Sequence, residues 1–225
     1  MKYKLCIASG NPTALVHGQV DKAQAIKILA EDPRVEQVGF LSGDEKTGYR
    51  LDMAGGEFCG NATRSAIFEF AKGKPCEMEI SVSGCDSPIR GGVNEDGTVW
   101  AEMPEMLGKE ELPGGITLVR LPGITHAVLG SDDTESFEAI LETIKNIEKN
   151  VPAIGIIGVK NGKMYPVVWV RSIDTLCRET ACGSGITAAA YAFDSSLKLM
   201  QPWGEYLTAE LQNGKVTLTG PVQEI

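Results

Sequence analysis

The sequence lacks any long apolar run. Its most apolar stretch, residues 151–159, holds one proline and two glycines and falls short of the roughly 20 apolar residues of a membrane-spanning helix. It also lacks an excess of basic residues, because 21 Lys and Arg stand against 30 Asp and Glu for a net charge of −9. A broad nucleic-acid surface needs clustered positive charge. We therefore expect neither a membrane nor a nucleic-acid partner.

Signals for secretion and for metal binding are also scarce. A signal peptide needs an apolar region of about 7–15 residues, and here Asn11-Pro12-Thr13 interrupts the first apolar segment. The sequence thus predicts a cytoplasmic protein, whose six cysteines are thiols rather than a disulfide framework. Cys177 and Cys182 have no second Cys or His pair at the spacing of a structural zinc site. The spacing therefore makes a metal site the weaker interpretation of these cysteines.

Most of the remaining chain has strand patterns closed by turn signals. Asp96-Gly97, Asn161-Gly162 and Asn213-Gly214 predict three tight hairpins. Four segments have helical patterns: 22–31, 60–72, 133–149 and 183–196. The segment 133–149 is an amphipathic helix with an apolar stripe and Asp132 or Asp133 as its cap. Segments 60–72 and 183–196 are rich in Ala and aromatic residues, which predicts buried helices.

The two buried helices resemble each other. Cys59 to Phe70 aligns with Cys182 to Phe193 at a constant offset, and Cys, Gly, Ala and Phe positions match. Gly10–Val16 aligns with Gly123–Leu129 at a different offset. An internal repeat indicates fold-level symmetry. We expect an α/β (α+β) fold with two pseudo-symmetric lobes, 1–108 and 109–225, each a mostly antiparallel sheet around a central helix. The segment 104–115, with two Pro and three Gly, is the expected connecting loop.

Each repeat places a cysteine directly before a glycine and a polar residue at a predicted helix N-terminus. The free N–H groups and the helix dipole there favour negative charge. A thiol in that place is expected to have a lowered pKa, and the N–H groups can bind a carboxylate. If both helices address one ligand, one thiolate can remove a proton α to a carboxylate and the other thiol can reprotonate the opposite face. The pattern predicts racemisation or epimerisation by Cys59 and Cys182.

The competing interpretation is that these cysteines are small buried apolar residues. Two cysteines at matching repeat positions argue against it. Cys6, Cys76, Cys85 and Cys177 have no repeat partner and are expected to be structural or surface thiols.

The segments Glu57–Arg64 and Thr180–Gly185 resemble the two signature segments of the diaminopimelate epimerase superfamily of cofactor-independent, two-cysteine racemases and epimerases. Within it, the chain is most similar to the staphylopine-type histidine racemases of metallophore biosynthesis. That similarity includes Glu36–Phe40, Ser81–Cys85 and the hairpin Ile154–Trp169, and it spans most of the chain.

The resemblance implies an amino-acid racemase with Cys59 and Cys182 as the acid/base pair and histidine as first substrate. It implies no pyridoxal phosphate, no metal, and a homodimer. It also implies the following substrate-binding residues: Asn11, Gln37, Gly60, Asn61, Gly183 and Ser184. We add Glu179, which precedes Cys182, as a further substrate-binding candidate.

Other readings remain open from the residues alone. Diaminopimelate, proline or hydroxyproline epimerisation would use the same cysteines, although Ile124 replaces an Asn of diaminopimelate epimerases and their distal Glu-Arg-Gly clamp is absent before Cys182. An amino-acid-binding relative without turnover is the non-enzyme alternative.

Several polar residues have a simpler structural interpretation. His17 and His126, the only histidines, lie in apolar strand-like runs and are expected to be structural, with a place in the pocket lining as the alternative. Arg64 and Glu69 are expected on solvated helix faces. Glu57 and Glu179 precede the helices, where a carboxylate is favoured by the dipole.

Overall fold

The computed structural model describes residues 2–133, 136–171 and 174–225, except for the side chain of residue 175. Four helices and seventeen strands lie within these ranges. The helices are α1 (Lys22–Glu31), α2 (Gly60–Ala71), α3 (Phe137–Ile147) and α4 (Gly183–Ala192). The strands are β1 (Lys4–Ala8), β2 (Asn11–His17), β3 (Gln37–Asp44), β4 (Gly48–Met53), β5 (Cys76–Val82), β6 (Ile89–Val93), β7 (Val99–Glu102), β8 (Gly108–Leu112), β9 (Ile116–Leu121), β10 (Ile124–Leu129), β11 (Ala153–Lys160), β12 (Lys163–Val170), β13 (Thr175–Arg178), β14 (Leu197–Met200), β15 (Tyr206–Gln212), β16 (Lys215–Gly220) and β17 (Val222–Glu224).

The chain divides into two compact units. The first comprises residues 1–103 and 218–225, and the second residues 104–217. The division thus follows Met103, whereas the sequence places it after residue 108, and the C-terminal strand belongs with the first unit. The segment 104–115, expected as a loop, contains β8.

In the first unit the strands form a mostly antiparallel sheet. Its pairing order is β17, β1, β2, β3, β4, β5, β6 and β7; β2/β3 and β4/β5 are parallel pairs, and the other pairs in this order are antiparallel. Helix α1 makes the crossover between the parallel strands β2 and β3. Helix α2 contacts β1, β2, β4, β5, β6, β7 and β17, and all of its residues from Gly60 to Ile67 are buried. It packs into a core with Leu15, Leu51, Ile80 and Val99.

The second unit uses the same kind of connections. Strand β9 pairs antiparallel with β8 and β10, β10 pairs parallel with β11 across the α3 crossover, and β11 pairs antiparallel with β12. Helix α4 contacts β9, β10, β11, β14 and β15. The structure is therefore a mixed α/β protein dominated by strands, as the sequence predicts.

Local signals explain most boundaries. Asp21 caps α1 by accepting the Gln24 N–H at 3.0 Å. Lys72 and Gly73 take the left-handed conformation that ends α2. Asn161 and Gly162, at φ of 52° and 71°, form the predicted tight turn between β11 and β12.

Two predicted helices differ from the observed ones. Helix α4 ends at Ala192 rather than at residue 196, because Asp194 adopts a left-handed φ of 47°. Helix α3 has Ser136 as its N-cap rather than Asp132 or Asp133, while residues 134 and 135 of the predicted helix lie outside the described ranges. Its Phe137, Leu141 and Ile144 are buried as predicted, but Ile147 is exposed.

No helix within the described residues is long and apolar enough to cross a membrane. Those residues also hold no group of three or more His, Cys, Asp and Glu side chains placed to bind a metal ion.

Candidate functional site

Cys59 occupies the N-cap of α2 in the first unit. Its backbone is extended, at φ −136°, and its Sγ accepts the Ala62 N–H at 3.5 Å. The glycine that follows is required by packing, since a Cβ on Gly60 would lie 2.9 Å from the Met103 Sδ. Cys59 therefore lies at the start of a buried helix, as the sequence predicts.

A chain of polar side chains leads away from Cys59. The Cys59 thiol donates to Gln37 Oε1 at 3.3 Å. Gln37 Nε2 donates to Asn11 Oδ1 at 2.5 Å and to Thr13 Oγ1 at 2.7 Å. Asn11 Nδ2 in turn donates to Glu36 Oε2 at 2.6 Å. Parallel pairing of β2 and β3, with Thr13 opposite Gln37, places these side chains side by side.

The carboxylate at the end of this chain fixes its direction. An ionised carboxylate only accepts hydrogen bonds, whereas an amide has a donating and an accepting end. Glu36 therefore accepts a hydrogen bond from the Asn11 amide nitrogen, and this orientation directs the Asn11 oxygen towards Gln37. Gln37 must then donate to Asn11, and its own oxygen faces the sulfur of Cys59. In this orientation the chain favours a protonated Cys59.

Burial is the main influence on this thiol. It raises the pKa of Cys59, and the Ala62 N–H at the helix start opposes that rise only in part. The expectation of a lowered pKa from the helix start alone is therefore wrong for Cys59. Desolvation of the thiolate outweighs the local N–H groups.

Arg64 lies one turn further along α2 and is fully buried, at 0% exposure. Its Nη2 donates to Asn61 Oδ1 at 3.0 Å and to Ser9 Oγ at 3.1 Å. Burial lowers the pKa of Arg64 to about 10, while the charge of a Cys59 thiolate raises it. The expectation that Arg64 lies on a solvated helix face is wrong. Glu69 is also mostly buried and forms an ion pair with Lys4 at 2.9 Å.

Cys182 occupies the N-cap of α4 in the second unit. Its backbone is extended, at φ −129°, and its N–H donates to Gln201 Oε1 at 3.1 Å. The side chain is buried, and its Sγ lies 3.6 Å from Ser184 Oγ. Gly183 begins the helix and is buried as well.

A buried histidine supports this second cysteine. His126 Nε2 lies 2.9 Å from Ser184 Oγ, so the side chains of His126, Ser184 and Cys182 form a continuous polar chain. Burial lowers the pKa of His126 to about 3, which leaves the imidazole neutral near pH 7. Strand β11 makes room for the ring, since a Cβ on Gly155 would lie 2.0 Å from His126 Nδ1.

The structure brings the predicted residues together within each unit. Asn11, Gln37 and Cys59 form one connected set, with Gly60 and Asn61 at the same helix start. Ser184 contacts Cys182 directly, and Gly183 lies between them. Glu179 is placed by its backbone N–H, which donates to Pro166 O of β12 at 3.1 Å; its role in substrate binding stays a prediction.

Sequence reasoning missed four residues of these sets: Glu36, Thr13, Arg64 and Gln201. One of the signals was present in the sequence. Arg64 stands in a segment otherwise rich in Ala and aromatic residues, where a lone charge is unusual. His126 is expected to be structural or to line the pocket, and the weaker repeat aligns it with Thr13, which contacts Gln37.

The sequence matches known proteins over most of its length. Residues 2–219 match the family described as histidine racemase CntK N-terminal domain. A histidine racemase of Fusobacterium nucleatum is 31% identical over 218 residues, covering 84% of this chain and 78% of that protein. One of Staphylococcus aureus is 25% identical, with 83% and 77% coverage.

The fold is shared more widely than the sequence. The crystal structure of a predicted epimerase from Pseudomonas aeruginosa has a TM-score of 0.73 at 14% identity and covers 99% of this chain and 96% of its own. That likeness concerns the fold alone. From the family match across nearly the whole chain, the protein belongs to the histidine racemase CntK N-terminal domain family.

Proposed function

We propose that the protein is a cofactor-independent histidine racemase in which Cys59 and Cys182 exchange the α-proton of the substrate. The observation that carries the proposal is the repeated site: each cysteine is the N-cap of a buried helix and is followed by Gly and a polar residue. The racemases to which the chain is similar are named histidine racemases.

The chemistry follows from the helix starts. Backbone N–H groups of Gly60, Asn61, Gly183 and Ser184 are suited to hold the substrate carboxylate, because the first N–H groups of a helix have no intrahelical acceptor. One cysteine, as thiolate, takes the proton from Cα, and the electron pair is delocalised into that carboxylate. The other cysteine, as thiol, returns a proton to the opposite face. Each turnover leaves the two protonation states exchanged, and the pair titrates as a unit.

The proposal includes the finer architecture expected from the sequence. We place the chain in the diaminopimelate epimerase superfamily, with two pseudo-symmetric lobes around α2 and α4. The shared order of strands and crossover helices in the two units supports this. We further propose a homodimer, for which light scattering of the purified protein is the test; a monomeric mass would contradict it.

The test is isotope exchange during racemisation. L-Histidine is incubated with the protein in deuterated water, and the Cα proton signal and the D-enantiomer are followed together. A two-base enzyme places solvent deuterium in each molecule of D-histidine as it forms. Absence of exchange with histidine and with the other common amino acids would contradict racemase activity.

The same assay separates the alternatives. Exchange with diaminopimelate or proline, and none with histidine, would move the assignment to an epimerase or racemase of another substrate. Binding of histidine in calorimetry without any exchange would instead indicate a binding relative that has lost turnover.

A further inference from the structure

Arg64 is unusual because it is a cation with no exposure to solvent. Its Nε and Nη1 atoms have no hydrogen-bond partner among the described residues. The contacts that Nη2 makes are to neutral oxygens, Asn61 Oδ1 and Ser9 Oγ. Within the described chain no carboxylate forms an ion pair with it. Buried cations are normally paired, since removing the charge from water is costly.

The position of the guanidinium points to what balances it. Asn61 is the second residue of α2, so its contact with Arg64 Nη2 places the positive charge at the helix N-terminus. Cys59 is the N-cap of the same turn. A negative charge on its sulfur raises the pKa of Arg64.

We propose that Arg64 is the buried counter-charge of the Cys59 thiolate: a positioning residue that favours the ionised sulfur and fixes the Asn61 amide at the helix start. This role explains how Cys59 can ionise despite its surroundings. A half-buried thiol that donates to the Gln37 oxygen resists ionisation, yet the proposed reaction requires a thiolate in half of its turnovers. A permanent cation in the low-dielectric interior lowers the cost of that state. The catalytic meaning rests on the proposed function, whereas the state of the thiol is measured without substrate.

The second helix is a natural control. The repeat aligns Arg64 with Thr187, which is also fully buried but neutral. Thr187 Oγ1 donates to the Gly183 carbonyl at 2.8 Å. Helix α4 therefore has the same dipole at its N-terminus without a buried cation beside it.

The first experiment measures alkylation of each cysteine by iodoacetamide as a function of pH, with peptide mass spectrometry reporting each site. Three proteins are compared: the unmodified chain, Arg64→Lys, which keeps the charge, and Arg64→Met, which keeps much of the volume. Arg64→Met is expected to raise the Cys59 midpoint by about one pH unit or more, a roughly tenfold loss of thiolate below the midpoint. Arg64→Lys is expected to shift it much less. Exposed Cys177 should keep its profile in all three.

A folded Arg64→Met protein with the unmodified Cys59 profile would overturn the proposal. Racemisation is recorded in parallel, so loss of the proposed function and loss of the counter-charge are distinguishable. A protein inactive on every amino acid still reports the Cys59 midpoint.

A second experiment leaves Arg64 in place, in case its variants do not fold. Cys59→Asp is compared with Cys59→Asn, and Cys182→Asp with Cys182→Asn, because Asp and Asn are nearly equivalent N-caps. Beside a buried cation, Asp at 59 should raise the melting temperature over Asn at pH 7, and lose that advantage as acid protonates it. The Asp advantage at 182 should be smaller. An advantage at 59 no larger than at 182 would contradict the proposal.

Discussion

The two units place a cysteine at the same kind of helix start and surround it with different polar groups. Behind Cys59 stands a chain of amides that ends at the carboxylate of Glu36, with a buried arginine on the same helix. Behind Cys182 stands a hydroxyl held by a neutral, buried histidine. Repetition supplies two similar helix ends, and the residues behind each sulfur give the two thiols different environments.

That difference bears on a two-base racemase. The proposed mechanism needs one thiol and one thiolate at the start of each turnover, and two identical sites would share a proton without preference. The amide chain, fixed by Glu36, presents an acceptor to Cys59 and so favours its protonated form. The hydroxyl of Ser184 can accept or donate a hydrogen bond, so it can stabilise Cys182 either as a thiol or as a thiolate. We infer that the asymmetry sets which protonation state dominates in the resting protein.

The largest expected effect tests whether both cysteines react. Cys59→Ser and Cys182→Ser should each reduce racemisation by about 10² to 10⁴, the range for loss of a general acid or base, because a serine hydroxyl is far less acidic. The measurement is formation of D-histidine from L-histidine. Cys177→Ser, at an exposed thiol, is the matched control and should retain activity. Full activity in either site variant would refute the two-base scheme.

The next prediction disturbs only the Cys182 side. Gly155→Ala places a Cβ 2.0 Å from His126 Nδ1 and 2.5 Å from its Cε1. The ring must move, at a cost of about 1–3 kcal/mol in unfolding free energy, and its contact with Ser184 should be lost. Urea unfolding measures the first effect and Cys182 alkylation the second.

Gly130→Ala is the control for that variant, since its added Cβ meets nothing within 4 Å and surface changes of this kind stay within about 0.5 kcal/mol. Cys59 alkylation should be unchanged in both proteins. Equal stability of the two variants would show that His126 is not confined by Gly155.

A third prediction uses the pH dependence of stability. The pKa of His126 is lowered by burial from 6.5 to about 3, so between these values the unfolded state binds more protons than the folded one. Stability from this group is present above pH 6.5 and is lost as pH falls. At pH 5 the loss is about 2 kcal/mol relative to pH 7.

His126→Gln lacks that titration and can still hydrogen bond to Ser184. Between pH 7 and pH 5, the unfolding free energy of this variant should therefore fall less than that of the unmodified chain. The difference between the two decreases should be about 2 kcal/mol, the contribution of His126. Parallel stability curves for the two proteins over this range would mean that His126 titrates normally.

The sequence predicted the features that the two units share, which are the helix starts, and missed the polar side chains that differ between them. The helix starts at Cys59 and Cys182 follow from a local signal, which is a cysteine followed by a glycine and a polar residue before an Ala-rich segment. Helices α1 and α2 have nearly their predicted bounds. The surroundings of the sulfurs depend on strand pairing. Asn11, Gln37 and Glu36 meet because β2 and β3 pair in parallel in one register, and no local pattern encodes that register. The lowered pKa expected at Cys59 failed for a related reason, because burial is a property of the packed unit.

The smallest predicted effect concerns the carboxylate that orients the amides. Glu36→Gln preserves the shape and removes the constraint that Asn11 must donate to it, so Asn11 and Gln37 can invert and the Gln37 amide nitrogen can face Cys59. A donor in place of an acceptor favours the thiolate. Alkylation of Cys59 at pH 7 should therefore accelerate by about tenfold, equivalent to about 1.4 kcal/mol, while Cys182 keeps its rate. A slower or unchanged Cys59 would show that the amide chain does not set its protonation, and the contrast between the two cysteines would then rest on Arg64 and His126 alone.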